Sequence, residues 1–377
     1  MFRQILLLTL VSLLSVGPML WKRGLDIVTR TYSLAAERLW NGENPYLSAP
    51  EGTDFFKYSP AFAFLYSPFG RLPDAAQAIA WAAFNAFFFW WGVSVWLRVP
   101  GRKWASFWIF WIFAAMELDI SLRYQQFNAC LVGMTLIGLH AFRDARWRRA
   151  AGWLGCAAQL KVLPVVFAAA LLWPWKSRYF RYLLLTVTLL CLLPVLAQGA
   201  AGVVDLHASW AQLLLNDGRG AGLLDLKSVL TRLGCPTLGE FGRILVLGVT
   251  GILFLGARLR ASSCLMKDLR VWFAFGICGL LLLSPRTESP TFVLAAPALL
   301  ICASIFSDRW SRWTLGLIGF AMTVLYTDLW PKRLWDPRDS EYATKTLAIL
   351  AFWVWLTGKM ILDRVATKEF LPGRDQI

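Results

Sequence analysis

Long apolar runs separated by short polar and basic clusters dominate the chain. About 20 apolar residues in helical form cross the ~30 Å hydrocarbon core of a bilayer. By that measure, membrane helices are expected at residues 4–20, 74–97, 104–121, 126–142, 180–198, 241–258, 269–283, 290–306, 312–328 and 344–362. The first run follows the start MFRQ and carries no A-x-A-type cleavage site, so it reads as a retained signal anchor. Between residues 150 and 175 a further apolar stretch is interrupted by Lys161 and Pro164. Basic clusters flank it: Arg143, Arg146, Arg148 and Arg149 before, Lys176, Arg178 and Arg181 after. Basic residues gather on the cytoplasmic side, so a stretch with such clusters at both ends must enter and return. Two half-length helices, 149–160 and 162–174, bent at Lys161, meet that demand. Broken helices of this kind occur where backbone lines a cavity. The expectation is an all-α polytopic membrane protein, a single integral membrane domain over residues 1–377. It has about twelve transmembrane helices once the half-length pair is counted.

Composition agrees with this picture. Apolar residues make up 58% of the chain and charged residues 16%, against about 25% charged in an ordinary soluble domain. A disordered chain and a plain water-soluble globule are thereby excluded. The formal net charge of +15 would suggest nucleic acid in a soluble protein. Here the basic excess falls on the cytoplasmic loops once the N-terminus is placed inside, so it sets orientation and no nucleic-acid partner is expected. The opposite side then receives three long loops, 21–73, 199–240 and 329–343, rich in Asn, Gly, Pro and Asp. Both termini are expected in the cytoplasm. The seven Cys include no CxxC pair, and His140 and His207 stand far apart. Neither a disulfide framework nor a zinc site follows from such spacings, and no metal or other cofactor is expected.

Residues 21–73 carry most of the chemistry-bearing text. Ile27, Leu34, Ala35 and Leu39 form a helical stripe, stopped by Asn41-Gly42 and turned by Asn44-Pro45-Tyr46. The run from Phe55 to Leu72 holds two prolines and is too short to span, so it is expected to lie in the membrane interface. Asp26 stands just before the stripe, where it can serve as a helix N-cap or as a base. Lys161 is the sharpest single residue. A lysine in an apolar stretch costs roughly 2.5–3.5 kcal/mol on insertion scales and is a functional candidate by default; snorkelling to headgroups is its plainer role.

The order of motifs resembles a known family. A first span is followed by Asp26, an amphipathic helix, a G-x-x-P-Y turn (Gly42, Pro45, Tyr46), Tyr58-x-Pro60 and Ser67-Pro68. Then come Gln126-Phe127-Asn128 opening a span, Leu160-Lys161-Val162-Leu163-Pro164, Lys227-Ser228 with Arg232, and Leu283-Ser284-Pro285-Arg286. This series, over about residues 5–305, resembles the glycosyltransferase family 87 proteins (the DUF2029 group), which resemble polyprenol-phosphate-mannose-dependent mannosyltransferases with a GT-C-like membrane fold. Many members carry aromatic and His residues after the Ser-Pro pair, where this chain has Arg286-Thr287-Glu288-Ser289, a departure that bears on the acceptor.

The resemblance implies a polyprenyl-phosphate-linked sugar donor, mannose-like, and a glycolipid or envelope glycan acceptor. It implies inverting transfer on the outer, periplasmic face of a bacterial cytoplasmic membrane. Such a reaction needs one carboxylate to take the acceptor proton. Its leaving group is already a phosphate, so it requires cations rather than the second carboxylate of a glycosidase. Asp26 is the expected base. Lys161, Arg286 and Arg30 are the expected phosphate ligands; Gln126, Asn128, Tyr58, Tyr46 and Glu288 are the expected sugar or acceptor contacts. Plainer roles stand beside these: Arg286 pairing with Glu288, Asn128 capping its helix, the tyrosines anchoring in the interface, Lys227 and Arg232 as solvated charges. No Gly-rich phosphate loop supports a nucleotide sugar. A multispanning transporter or lipid flippase is the competing class, and a polymerase or ligase of polyprenyl-linked glycans is the third.

Overall fold

The computed structural model describes residues 2–97, 108–161, 164–172, 177–216, 224–259, 268–284, 287–306, 308–325 and 343–369. Most of these residues are helical, with no strand among them. In chain order the α-helices are α1 (Phe2–Arg23), α2 (Ile27–Trp40), α3 (Pro60–Gly70), α4 (Asp74–Trp96), α5 (Trp108–Arg123), α6 (Asn128–Arg143), α7 (Trp147–Leu160) and α8 (Val165–Ala170). They continue as α9 (Ser177–Leu192), α10 (Val195–Asn216), α11 (Leu226–Arg232), α12 (Pro236–Leu259), α13 (Leu269–Leu283), α14 (Ala295–Ile305), α15 (Arg309–Phe320) and α16 (Ala343–Glu369). Among the described residues, four helices are long and apolar enough to cross a membrane: Phe2–Arg23, Asp74–Trp96, Pro236–Leu255 and Ala343–Leu362. The chain is a multi-pass membrane protein.

The expected break is present, but the second half is shorter than expected: among the described residues α8 covers Val165–Ala170 rather than 162–174. α7 ends at Leu160, α8 starts at Val165, and the break falls at Lys161 as the sequence pattern demands. The expected span over 180–198 is interrupted. α9 ends at Leu192, and α10 leaves it at 98°. Pro194 lacks a backbone donor, and Gly199 takes the left-handed region at φ +70° inside α10, a conformation that costs glycine little. Residues 199–240, read as the second outer loop, therefore contain most of α10, all of α11 and the first turn of α12. The third expected loop, 329–343, lies outside the described residues except for Ala343.

The chain divides into two compact units, each described by itself: Met1–Arg98 with Ser121–Gly218, and Val99–Ile120 with Arg219–Ile377. In the first, α4 packs on α1 and α6, α6 on α7, and α7 on α9. Close backbone approach makes this possible. A Cβ on Gly92 would lie 2.6 Å from Gly133 Cα, and one on Gly155 would lie 2.9 Å from Thr186 Cγ2. In lipid the hydrophobic effect does little to drive helices together, so small residues that admit tight van der Waals packing carry the association. This stack fixes α7 and hence Lys161. α2 and α3 pack against each other; Ser59 caps α3 and Pro60 opens it with a pre-set φ.

In the second unit α13 packs on α14 and α16, and α11 on α12. Lys345 Nζ donates to Glu117 Oε1 at 3.0 Å and Oε2 at 3.3 Å, with neither side chain exposed. Beside that pair, Thr346 Oγ1 donates to the Leu224 carbonyl at 2.6 Å. The Leu224 N–H in turn donates to the Thr287 carbonyl at 2.7 Å.

Candidate functional site

Lys161 caps the C-terminal end of α7 in extended backbone, φ −147° and ψ 138°. Its half-buried side chain leaves the helix at the break, and Nζ donates to Asn128 Oδ1 at 2.7 Å. Asn128 is fully buried and opens α6 without capping it. Its side-chain N–H donates to Gln126 Oε1. The polar ends of both amides are therefore oriented by the lysine. The Tyr58 ring lies 5.8 Å from Lys161 Nζ, within cation–π range. Tyr46 donates its hydroxyl to the Tyr58 carbonyl at 2.9 Å, and Tyr32 donates to the Tyr58 hydroxyl at 2.7 Å. Behind them Tyr32, Phe62, Trp81 and Phe127 form an aromatic wall, with Tyr32–Phe62 centroids at 4.7 Å and Phe62–Phe127 at 5.2 Å. Five of the sequence-predicted residues, Lys161, Asn128, Gln126, Tyr58 and Tyr46, thus form one connected cluster. Burial holds the phenols of Tyr32 and Tyr46 well above their ordinary pKa, so both remain neutral donors.

Asp26 sits at the start of α2. Oδ1 accepts from the Ile27 N–H at 2.9 Å, the N-cap bond, and from Arg23 Nη2 at 3.0 Å. Oδ2 has no hydrogen-bond partner among the described residues. One oxygen caps the helix, and the other is left open to a further partner. Its side chain is 12% exposed. Gln125 holds this region in place, and sequence reasoning missed it. Its Oε1 accepts from the Asp26 N–H at 3.2 Å and from Thr29 Oγ1, while Nε2 donates to the Gly24 carbonyl at 2.8 Å. Gln125 is buried and adopts φ +50°, a strained region for a non-glycine residue. The Trp81 indole fixes its carbonyl at 2.9 Å. Residues 125–128 therefore touch both features: Gln125 supports Asp26, and Gln126 and Asn128 reach Lys161. Only the left-handed turn between two helices could have hinted at Gln125.

The family model described as glycosyltransferase family 87 matches residues 55–285, more than half of the chain. The chain belongs to glycosyltransferase family 87. No curated protein matches it significantly. Among solved structures, ArnT from Cupriavidus metallidurans bound to undecaprenyl phosphate is similar at 15% identity and a TM-score of 0.46. The alignment covers 97% of this chain and 78% of that one. A likeness this loose carries no functional inference.

The remaining predicted residues of this glycosyltransferase make no contact with the cluster that joins the five above, belong to the second unit or lie outside the described residues. Arg30 is exposed, with Nη1 beside Gly52, and Arg23 is the arginine that pairs with Asp26. Glu288, in the second unit, precedes the short 3₁₀ turn Ser289–Leu294, and its N–H donates to Thr291 Oγ1 at 3.3 Å. Arg286 lies outside the described residues. Lys227 pairs with the exposed Glu240, which matches its plainer role as a solvated charge.

Proposed function

We propose that this family 87 glycosyltransferase moves a single sugar, a mannose-like hexose, from a polyprenyl-phosphate donor to a lipid-linked or envelope glycan acceptor, with inversion. The observation that carries the reading is the 125–128 turn, which supports a free carboxylate oxygen on one side and a half-buried lysine on the other. In the proposed reaction the acceptor hydroxyl gives its proton to Asp26 Oδ2 as its oxygen bonds to the anomeric carbon. The bond from that carbon to the phosphate oxygen breaks, and polyprenyl phosphate leaves with the electron pair. Lys161 stabilises the growing phosphate charge. Arg286 and Arg30 are proposed as further cations; Gln126, Asn128, Tyr58, Tyr46 and Glu288 are proposed to place sugar and acceptor hydroxyls. A phosphate leaving group needs no general acid, so one carboxylate suffices. The accompanying architecture is a GT-C-like bundle of about twelve helices in the bacterial cytoplasmic membrane. Both termini are inside and the site lies on the outer face, as basic-loop placement favours.

Family membership favours a transferase over a transporter or flippase. The test uses membranes containing the full chain and radiolabelled polyprenyl-phosphate sugars. Label transferred to an extractable glycolipid or glycan supports the reading. Solute uptake into vesicles, without transfer from any sugar offered, would overturn it. Comparing lipids and glycans of a deletion strain with its parent identifies the acceptor.

A further inference from the structure

The far end of α7 carries a second basic feature that the proposed reaction does not use. An open groove of about 650 Å³ is lined by Arg146, Trp147, Arg148, Arg149, Arg178 and Tyr182. It lies where the first turns of α7 and α9 come together. α7 rises about 1.5 Å per residue over 14 residues, which puts the groove roughly 20 Å from Lys161 along the helix. It is therefore separate from the candidate site.

Three observations define what the groove suits. First, the four arginines are exposed and make no ion pair among the described residues; the nearby Asp144 is engaged by Arg143 and His140. Second, the groove is preformed. Phe142 packs edge-on against Trp147 at 5.0 Å and Tyr179 at 5.1 Å, which pins the end of α6 to the starts of α7 and α9. Third, Arg148 and Arg149 occupy the first turn of a helix that has neither an acidic residue there nor a side-chain cap. Cations at that end oppose the helix dipole, and a bound anion relieves the conflict. Guanidinium forks match phosphate oxygens in pairs, and Trp and Tyr favour the depth of lipid headgroups.

We propose that this groove binds the headgroup of an anionic phospholipid, its phosphodiester held by Arg148, Arg149 and Arg178 between Trp147 and Tyr182. Charge complementarity and the position at the ends of two apolar helices select a membrane lipid over a soluble anion.

The test is lipid retention by the purified full chain, read by native mass spectrometry after incorporation with phosphatidylglycerol or phosphatidylcholine. Phosphatidylglycerol is expected to be retained in preference, and millimolar inorganic phosphate is expected not to displace it. Retention should fall about fivefold for each of Arg148→Gln, Arg149→Gln and Arg178→Gln, and further in the triple variant. If the triple variant fails to fold, the single variants decide. Lys161→Ala should leave retention unchanged. Equal retention of the two lipids, or full retention by the Gln variants, would overturn the proposal. So would displacement by inorganic phosphate, which would mark a free-anion site, or loss of the lipid in Lys161→Ala, which would place it at the other end of α7.

Discussion

Lys345 and Lys161 both lie in apolar helical surroundings, yet their settings are opposite. Lys345 is fully enclosed and bridges both oxygens of the equally enclosed Glu117. Its charge is neutralised within the second unit, and it ties α16 to α5 beside the Leu224–Thr287 contact. Lys161 is half-buried at a helix break and donates to a neutral amide oxygen. A buried ion pair costs desolvation and mainly enforces structure. A lysine set among amides and an aromatic ring, with access from outside, can still meet an incoming phosphate. Of the two, the apolar run flags only Lys161; in the structure, full enclosure with Glu117 marks Lys345 as structural.

The largest effect should come from breaking the enclosed pair. Glu117→Ala leaves Lys345 buried without its carboxylate and should cost about 3–5 kcal/mol of stability. The double change Glu117→Leu with Lys345→Met should recover most of that. Thermal unfolding in detergent checks both, and a loss under about 1 kcal/mol for Glu117→Ala would erase the contrast with Lys161. Next is Lys161→Ala. Removing a charged hydrogen-bond donor to the donor phosphate is worth about 1.5–3 kcal/mol, or about 10- to 150-fold in kcat/KM for the donor. The melting temperature should fall far less than in Glu117→Ala. Unchanged donor kinetics would end the phosphate role.

Gln125→Ala removes partners from the Asp26 N–H, Thr29 and the Gly24 carbonyl together. An expected loss of about 1–3 kcal/mol should appear mainly in kcat, with donor KM little changed, because Gln125 positions the carboxylate and does not touch the donor. A change confined to stability would remove it from the site. The smallest effect concerns pH. Ser311, whose backbone N–H donates to Oδ1 at 2.8 Å, holds the exposed Asp308 carboxyl below its ordinary pKa, with Lys359 adding to this. A carboxylate depressed in the folded state stabilises above its unfolded pKa, and that benefit disappears as pH falls through the lowered folded value. Asp308→Ala should therefore slightly lower neutral-pH stability and flatten the acid limb of the stability curve. An unchanged acid limb would show that this exposed cap contributes nothing.

Local features proved the most legible. The break at Lys161 followed from one charge and one proline in an apolar run, and the end of α2 from the polar stop at Asn41-Gly42; α3, read only as part of an interfacial run from Phe55 to Leu72, is a helix opened by Ser59-Pro60. These signals act within a helical turn or two of the residues that carry them. Gln125 stayed hidden because its side chain acts on a residue 99 positions earlier, and the Glu117–Lys345 pair joins residues 228 positions apart. Such contacts depend on how helices pack, which hydropathy does not encode. The bend at Pro194 was hidden for a related reason: apolar content continues across it, so composition reads one span where backbone chemistry imposes a turn of 98°.

The central claim is that Asp26 serves both as helix cap and as base. Asn caps helices about as well as Asp but cannot accept the acceptor's proton. The decisive measurement is sugar transfer from a radiolabelled polyprenyl-phosphate donor by Asp26→Asn, with expression and melting temperature matched to the parent. The account predicts a loss of about 10²- to 10⁴-fold in transfer rate with little change in stability; near-parental transfer at equal stability would contradict it.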